Sequence, residues 1–233
     1  EKNQQDQWLK VVHYDLKNKL STYYLTANGL PEINMNKLFS DQNGTLWAAT
    51  NGGGVCKLDS ATKKWFVYNK TNGLAGNIVK DIAQDNQGNY WFATYGGGLS
   101  KFDGSIWKTY NTSSGLPGNL TYSVFVDNQN NIWVGTSAGA GKWQGSNWKI
   151  YKTNHGLPSN NILSISQDFS GNMWFGTNLG ASRLQDTLFQ NFNISDGLPH
   201  NVIQKIYADK GGYIWFATTK GACRYDGTSF FVY

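Results

Sequence analysis

The sequence predicts an all-β fold, a β-propeller of four-stranded antiparallel blades. Three observations predict it: an internal repeat of 41 to 44 residues, four strand-like segments per unit, and apolar residues on both faces of those segments. Gly-Leu recurs at Gly29-Leu30, Gly73-Leu74, Gly115-Leu116, Gly156-Leu157 and Gly197-Leu198. Trp47, Trp91, Trp133, Trp174 and Trp215 follow with the same steps of 44, 42, 41 and 41. Asp41, Asp85, Asp127, Asp168 and Asp209 keep that register, as do Thr50, Thr94, Thr136, Thr177 and Thr218. Columns that share one register mark tandem copies of one supersecondary unit.

Each unit opens on a fixed corner. All four prolines (Pro31, Pro117, Pro158 and Pro199) follow Gly-Leu directly, and Ala75 takes the fifth place. Glycine permits a positive φ there, and proline holds the preceding leucine extended. Strand a follows, with Leu38, Ile82, Val124, Ile165 and Ile206 as its apolar column. It ends in Asp-x-x-Gly, with Gly44, Gly88, Asn130, Gly171 and Gly212 in the last place. Asparagine is the next-best residue for a left-handed position, so the column reads as a hairpin turn.

Strand b carries the tryptophan, and both its faces are apolar, as in Tyr90-Trp91-Phe92-Ala93-Thr94. That pattern requires cover on both sides. The tryptophan shares its face with a small residue (Ala49, Ala93, Gly135, Gly176, Ala217), which leaves room for a ring or a neighbouring sheet. A glycine-rich loop leads to strand c, and strand d is aromatic, as in Trp65-Phe66-Val67-Tyr68. Four short strands per unit, covered on both faces, describe a propeller blade.

One domain over residues 1–233 is expected, with full blades at 30–69, 74–111, 116–152, 157–193 and 198–233. Residues 8–28 match the second half of a repeat, with Tyr24 where Tyr68 falls, and are expected to form a half blade. With strands a and b of that first blade missing, the chain reads as a fragment of a six- or seven-bladed ring.

Composition excludes several classes. No run of 18 apolar residues spans a membrane, so no membrane contact by this segment is expected. The net charge is +5, but the 20 basic residues are scattered. Nucleic-acid binding needs a concentrated basic face and is not expected. Only two glutamates exist, Glu1 and Glu32, and nine of the 13 aspartates fall in turn columns. That is poor material for acid–base catalysis. His13, His155 and His200 show no metal spacing, so neither metal nor cofactor is expected. Cys56 and Cys223 share one strand-c column in distant blades and read as small buried residues. The basic column Lys57, Lys101, Lys142, Arg183 and Arg224 recurs once per blade, which points to a structural task such as pairing with nearby turn carboxylates. Trp143, in the Leu58 column, reads as core.

Leu157-Pro158-Ser159-Asn160 followed by Asp168-Phe169-Ser170-Gly171-Asn172-Met173-Trp174-Phe175-Gly176-Thr177 resembles the two-component regulator propeller repeat. The resemblance runs from about Trp8 to Tyr233. It implies the periplasmic sensor region of a bacterial hybrid histidine kinase, many of which respond to oligosaccharides, or a related secreted propeller. A propeller alone dictates no function.

The resemblance implies a non-enzymatic, extracytoplasmic sensor propeller, periplasmic or at the cell surface. Its expected partners are an oligosaccharide or other small polar ligand, and neighbouring domains or a second protomer. The alternatives are a surface or secretion-associated interaction scaffold and a propeller lyase similar to those that linearise streptogramins. Such a lyase needs a His/Glu pair with magnesium, for which Glu32 and His155 are the candidates. A ligand is expected on the face carrying the d–a and b–c loops, where recognition sits on loops over a rigid scaffold. The residues that break the repeat there are Asn51, Tyr95, Ser137, Asn178 and Lys220 after the strand-b threonine, with Lys70, His155 and His200 around the Gly-Leu corners. Tyr95 suits stacking on a sugar face, and Asn and Lys suit hydrogen bonds to hydroxyls.

Overall fold

The computed structural model describes residues 11–15, 17, 19–24, 28–31 and 34–233. Twenty of their strands form five four-stranded antiparallel sheets, each in sequential order a-b-c-d. Blade I holds β3 (Met35–Ser40), β4 (Leu46–Thr50), β5 (Val55–Leu58) and β6 (Trp65–Tyr68). Blade II holds β7 (Val79–Gln84), β8 (Tyr90–Thr94), β9 (Gly98–Phe102) and β10 (Trp107–Tyr110). In blade III these are β11 (Thr121–Val126), β12 (Ile132–Thr136), β13 (Gly139–Trp143) and β14 (Trp148–Tyr151). Blade IV comprises β15 (Ile162–Gln167), β16 (Met173–Thr177), β17 (Gly180–Gln185) and β18 (Leu188–Phe192). Blade V comprises β19 (Ile203–Ala208), β20 (Ile214–Thr218), β21 (Gly221–Tyr225) and β22 (Phe230–Val232). Strand a of each blade lies beside strand a of the next, so the sheets fan about a common axis as a β-propeller. Ahead of them β1 (Val11–Asp15) and β2 (Leu20–Tyr24) form a separate two-stranded antiparallel sheet.

The a–b turns take the form the sequence predicts. Gly44, Gly88, Gly171 and Gly212 have φ between +77° and +88°, and Asn130 replaces them at φ +64°. The preceding aspartate organises the turn. In blade II, Asp85 Oδ1 accepts the N–H groups of Gln87 (3.1 Å) and Asn89 (2.9 Å), and Oδ2 accepts the Trp91 indole N–H (2.8 Å). The indole bond recurs in blades I, III, IV and V at 3.2, 2.9, 2.9 and 2.7 Å.

Those tryptophans form the wedge between blades. Trp47 lies 4.4 Å from the Tyr90 ring, Trp133 5.7 Å from Phe175, and Trp174 5.6 Å from Phe216, each in the following blade. At ~25 cal/mol per Å² and roughly 200 Å² per indole, each burial contributes about 5 kcal/mol before conformational entropy. The small residue on the same face admits the neighbouring inner strand: a Cβ at Gly135 would meet Ser123 Oγ at 2.4 Å and the Ile162 carbonyl at 2.7 Å. Strand d adds a second ladder. Tyr24, Tyr68, Tyr110, Tyr151 and Phe192 pack on Trp65, Trp107, Trp148, Phe189 and Phe230 with ring centroids 5.7 to 5.9 Å apart.

Two expectations are refined. The basic column is structural: Lys57, Lys101, Lys142 and Arg183 lie 5.1 to 5.8 Å over the strand-b tryptophan of their own blade, and Arg224 over Tyr213 and Phe231, while Lys57, Lys101 and Arg224 also attract the turn carboxylates of Asp59, Asp103, Asp209 and Asp226. Trp and cation sit in register on adjacent strands (Trp91 opposite Lys101), which brings the cation over the ring face. Trp143 is half-buried, held between Tyr110 and Trp148 at 5.1 Å each. Cys56 and Cys223 are free and buried, and burial pushes their thiols up to about 12 and about 11.

Candidate functional site at the channel mouth

The loop face is built on rigid corners. Four of the Gly-Leu glycines cap a short 3-10 turn, with φ between +85° and +114° at Gly73, Gly115, Gly156 and Gly197. The asparagine of the Leu-Pro-x-Asn motif closes the corner. Asn77, Asn119, Asn160 and Asn201 accept on Oδ1 the N–H of Lys70, Thr112, Thr153 and Ile194 at 2.9 to 3.0 Å. Their carbonyls accept a glycine N–H from the preceding blade's b–c loop: Gly54, Gly98, Gly139 and Gly180, at 2.7 to 2.9 Å. The strand-b threonines fix that loop from the other side, as when Thr50 Oγ1 donates to the Gly54 carbonyl (2.7 Å) and accepts from Gly53 N–H (2.9 Å). Side chains that follow the threonine therefore stand on an ordered frame.

Two of the predicted positions meet. Lys80 Nζ donates to Asn51 Oδ1 at 3.3 Å and lies 5.9 Å over the Tyr95 ring. Tyr122 packs against Tyr95, with centroids 5.9 Å apart and planes tilted by 53°. Tyr95 remains exposed, and isolated bridges pair Asn51 with Ile78 and Tyr95 with Leu120 of the next blade. The Tyr122 hydroxyl is pushed up in pKa by burial and by the adjacent Tyr95. Asn51, Lys80, Tyr95 and Tyr122 thus form one patch of two tilted rings, an ammonium and an amide beside the inner strands.

The other predicted residues stand in separate contacts. Ser137 is half-buried, its N–H bonded to the Leu120 carbonyl. Asn178 Oδ1 accepts from Ser159 Oγ at 2.6 Å. Lys220 is exposed, and its N–H donates to Thr218 Oγ1. His200 Nδ1 accepts the Val202 N–H at 3.1 Å and so takes the Thr219 hydroxyl at 2.7 Å as a second donor, which places its ring proton on Nε2. Lys70 is exposed at the start of its turn. His155 serves its own turn: Nδ1 accepts the Lys152 N–H at 3.0 Å, the duty Asn72, Ser114 and Asp196 perform in their blades. Glu32 falls outside the described residues.

The sequence reading missed the inner-strand column Lys37, Asp81, Ser123, Ser164 and Lys205, which lies ten residues before each strand-b tryptophan. Asp81 is buried and accepts Lys37 of blade I on Oδ1, while Lys205 of blade V reaches Oδ2 at 3.7 Å across the axis. Asp81 Oδ2 also accepts the Val124 N–H at 3.2 Å, and Ser164 Oγ accepts the Ile206 N–H at 3.0 Å. Lys37 Nζ donates to the Ile82 carbonyl at 2.9 Å. The column stitches blade I to II, II to III and IV to V where a register shift frees a backbone group, whereas the buried Ser123 hydroxyl of blade III has no hydrogen-bond partner among the described residues. Its available signal was variation within an otherwise regular strand.

Chemically the loop face offers hydrogen bonds and ring surfaces. Among the described residues no group of three His, Cys, Asp or Glu side chains is placed to hold a metal ion. No helix of the described residues is long and apolar enough to cross a membrane. A cleft of about 460 Å³, lined by Lys142, Trp143, Lys149 and Tyr151, lies away from this face on the outer strands of blade III.

Residues 73–96, 115–138, 156–179 and 197–220, the corner and a–b hairpin of blades II to V, each match the two-component regulator propeller. The chain belongs to that family. Among solved structures, this two-component regulator propeller is similar to the extracellular domain of a hybrid two-component system from B. thetaiotaomicron. The two are 26% identical, with a TM-score of 0.78 over 89% of this chain and 31% of that one. The chain therefore spans about a third of that domain. Virginiamycin B lyase from Staphylococcus aureus is 16% identical, with a TM-score of 0.78 over 96% of this chain and 76% of the lyase. PorZ, a surface component of the type-IX secretion system of Porphyromonas gingivalis, is 16% identical with a TM-score of 0.65 over 84% of this chain and 32% of PorZ. The last two likenesses are of fold. No curated protein sequence matches the chain.

Proposed function

We propose that this propeller is the ligand-binding part of an extracytoplasmic sensor in a two-component signalling protein, that it performs no chemistry itself, and that its ligand is carbohydrate-like. The reading is carried by the patch at the channel mouth, where Tyr95 and Tyr122 offer ring faces beside the Lys80 ammonium and the Asn51 amide. Rings supply apolar cover for the C–H face of a sugar, and Lys and Asn supply polar contacts to hydroxyls. The extracellular relative supports the compartment and the sensor role. The repeats supply a rigid platform, and ligand binding would bias an existing equilibrium between arrangements of neighbouring domains or protomers.

Thermal-shift titration against a panel of oligosaccharides tests this reading. A ligand at 100 times its Kd stabilises the native state by about 2.7 kcal/mol, which reads as a rise of several degrees. The expected result is a rise with at least one glycan that disappears in the Tyr95→Ala chain. A panel that leaves the melting temperature unmoved overturns the carbohydrate reading.

A further inference from the structure

The repeat lets each position be compared across blades, and on the rim of blade III a cation has lost its carboxylate. On blades I, II and V the strand-c cations Lys57, Lys101 and Arg224 are each followed two residues later by an aspartate: Asp59, Asp103 and Asp226. After the turn's own hydrogen bonds, the neighbouring cation helps to hold each of these carboxyls below its usual range. On blade IV, Arg183 instead donates to Gln190 Oε1. On blade III the aspartate's place belongs to Gln144. Gln144 N–H donates to the Asn147 carbonyl at 2.9 Å, as Asp103 N–H does to the Ile106 carbonyl at 3.3 Å. The turn is kept and its charge is gone.

A second lysine deepens the imbalance. Lys142 of β13 stands directly opposite Lys149 of β14, and like charges in that relation destabilise a sheet. Lys142 Nζ lies 5.1 Å over the Trp133 ring and Lys149 Nζ 5.2 Å over the Tyr151 ring, and the two rings stack 5.5 Å apart, so both ammoniums stand on one face of the blade. Neither is in an ion pair among the described residues. No aspartate or glutamate occurs between Asp127 and Asp168. Asp127 is buried, its oxygens taken by the N–H groups of Gln129 and Asn131 and the Trp133 indole. Asp186 of blade IV borders the adjoining cavity beside Lys149 and Tyr151 but pairs with neither lysine. Blade II carries the same lysine pair, Lys101 opposite Lys108, with Asp103 in place beside it. Blade III alone keeps the pair without the acid.

The same residues line a concavity. Lys142, Lys149, Gln144, Asn131, Trp143 and Tyr151 surround the cleft of about 460 Å³ on the outer strands. Local rules broken without compensation inside the fold point to a partner outside it. We propose that this cleft binds the phosphate or sulfate group of a small ester, with the oxyanion beside Lys142 and Lys149 where other blades place an aspartate, and the body of the ester along the half-buried Tyr151 ring. Ammonium groups donate hydrogen bonds and cannot accept them, so they match an acceptor-only oxyanion. A tetrahedral group with several terminal oxygens reaches two ammoniums and the Gln144 amide together, and its charge answers two cations. The site lies away from the loop face and does not rest on the carbohydrate reading of the Tyr95 patch.

Isothermal titration calorimetry of the 233-residue chain with glucose 6-phosphate and glucose 6-sulfate, beside inorganic phosphate and inorganic sulfate, tests the proposal. At least one ester is expected to bind at a single site, more weakly as sodium chloride is added, and the tighter ester identifies the oxyanion. Gln144→Asp returns the repeat's carboxylate to the turn, and Lys149→Ala removes an exposed ammonium. Each is expected to weaken binding about tenfold or more without lowering the melting temperature. Lys108→Ala, the matching change on blade II, and Tyr95→Ala on the loop face are expected to leave binding unchanged. Failure of both esters to bind at low salt would overturn the proposal. So would binding that survives Gln144→Asp and Lys149→Ala, or that Lys108→Ala weakens as much, since either would mark a diffuse attraction to the basic rim. Inorganic phosphate or sulfate that binds as tightly as its ester would overturn the assignment of an ester in favour of a free ion.

Discussion

The indole N–H of Trp91 donates to the Asp85 carboxylate at 2.8 Å across the a–b turn, and the same carboxylate orders that turn through its other oxygen. One acidic residue therefore fixes both the hairpin and the orientation of the ring that wedges blade II against its neighbour. Asp85→Ala leaves a buried indole N–H and two turn N–H groups without their acceptor. We expect a loss of about 2–4 kcal/mol, since each buried unpaired group costs about 1–3 kcal/mol. Urea denaturation should show a lower midpoint with an unchanged slope.

Glycines in different columns should respond in opposite ways. Gly88 has φ +82° with nothing within 4 Å of an added Cβ, and its counterpart in blade III is Asn130. Gly88→Asn should cost less than about 1 kcal/mol, because asparagine tolerates the left-handed region. Gly135→Ala drives a methyl into the Ile162 carbonyl of the next blade and should cost about 1–3 kcal/mol. Thermal unfolding of the two variants side by side separates the turn's requirement from the seam's.

Asp41 and Tyr90 predict how stability depends on pH. Burial alone raises the Asp41 pKa, but hydrogen bonds from the Tyr90 hydroxyl, Thr45 N–H, the Trp47 indole and Asn43 N–H outweigh it and hold the carboxyl below its usual range. Burial, then the bond to Asp41, pushes the Tyr90 phenol up to about 12. The Asp41 contribution is thus present above the unfolded carboxyl's pKa of about 4 and is lost as pH falls through the folded value. That of Tyr90 is present below the unfolded phenol's pKa of about 10 and is lost as pH rises towards the folded one. Tyr90→Phe should flatten both limbs of a urea-midpoint profile, and Asp41→Asn chiefly the acid limb.

Two lysines distinguish recognition from architecture. Lys80 joins Asn51 and Tyr95 at the channel mouth, whereas Lys101 lies 5.5 Å over the Trp91 ring. Lys80→Ala should remove the melting-temperature rise given by a binding oligosaccharide and leave the unliganded chain's stability nearly unchanged. Lys101→Ala should cost about 0.5–1 kcal/mol and leave the ligand-induced rise intact. Parallel thermal-shift titrations check both.

The fold was legible because it is written in columns. Asn130 could be assigned a left-handed turn from its place among four glycines, and it adopts φ +64°. Gly135 could be read as a point of close approach because it shares a face with Trp133, and the Ile162 carbonyl sits there. The channel mouth was legible only in part. Asn51 and Tyr95 stand where the repeat varies after a fixed threonine, but Lys80 and Tyr122 lie within strand a, and their contacts join successive blades. The same holds for Lys37 and Asp81, 44 residues apart. A pairing between blades leaves no local pattern, so column position shows that a residue differs without showing what it meets. The cations over tryptophan were legible only in part for another reason: a ring face and a carboxylate both attract an ammonium, and only cross-strand register shows that the ring lies opposite it.

Indole hydrogen exchange, followed by NMR on the 233-residue chain, tests the radial wedge most directly. The Nε1 protons of Trp47, Trp91, Trp133 and Trp174, each bonded to its aspartate and covered by the next blade, should exchange far more slowly than that of Trp215, whose front face is open. Exchange of all five at the rate of a solvent-exposed indole would contradict the architecture, and protection of Trp215 equal to the others would contradict its half-buried place on blade V.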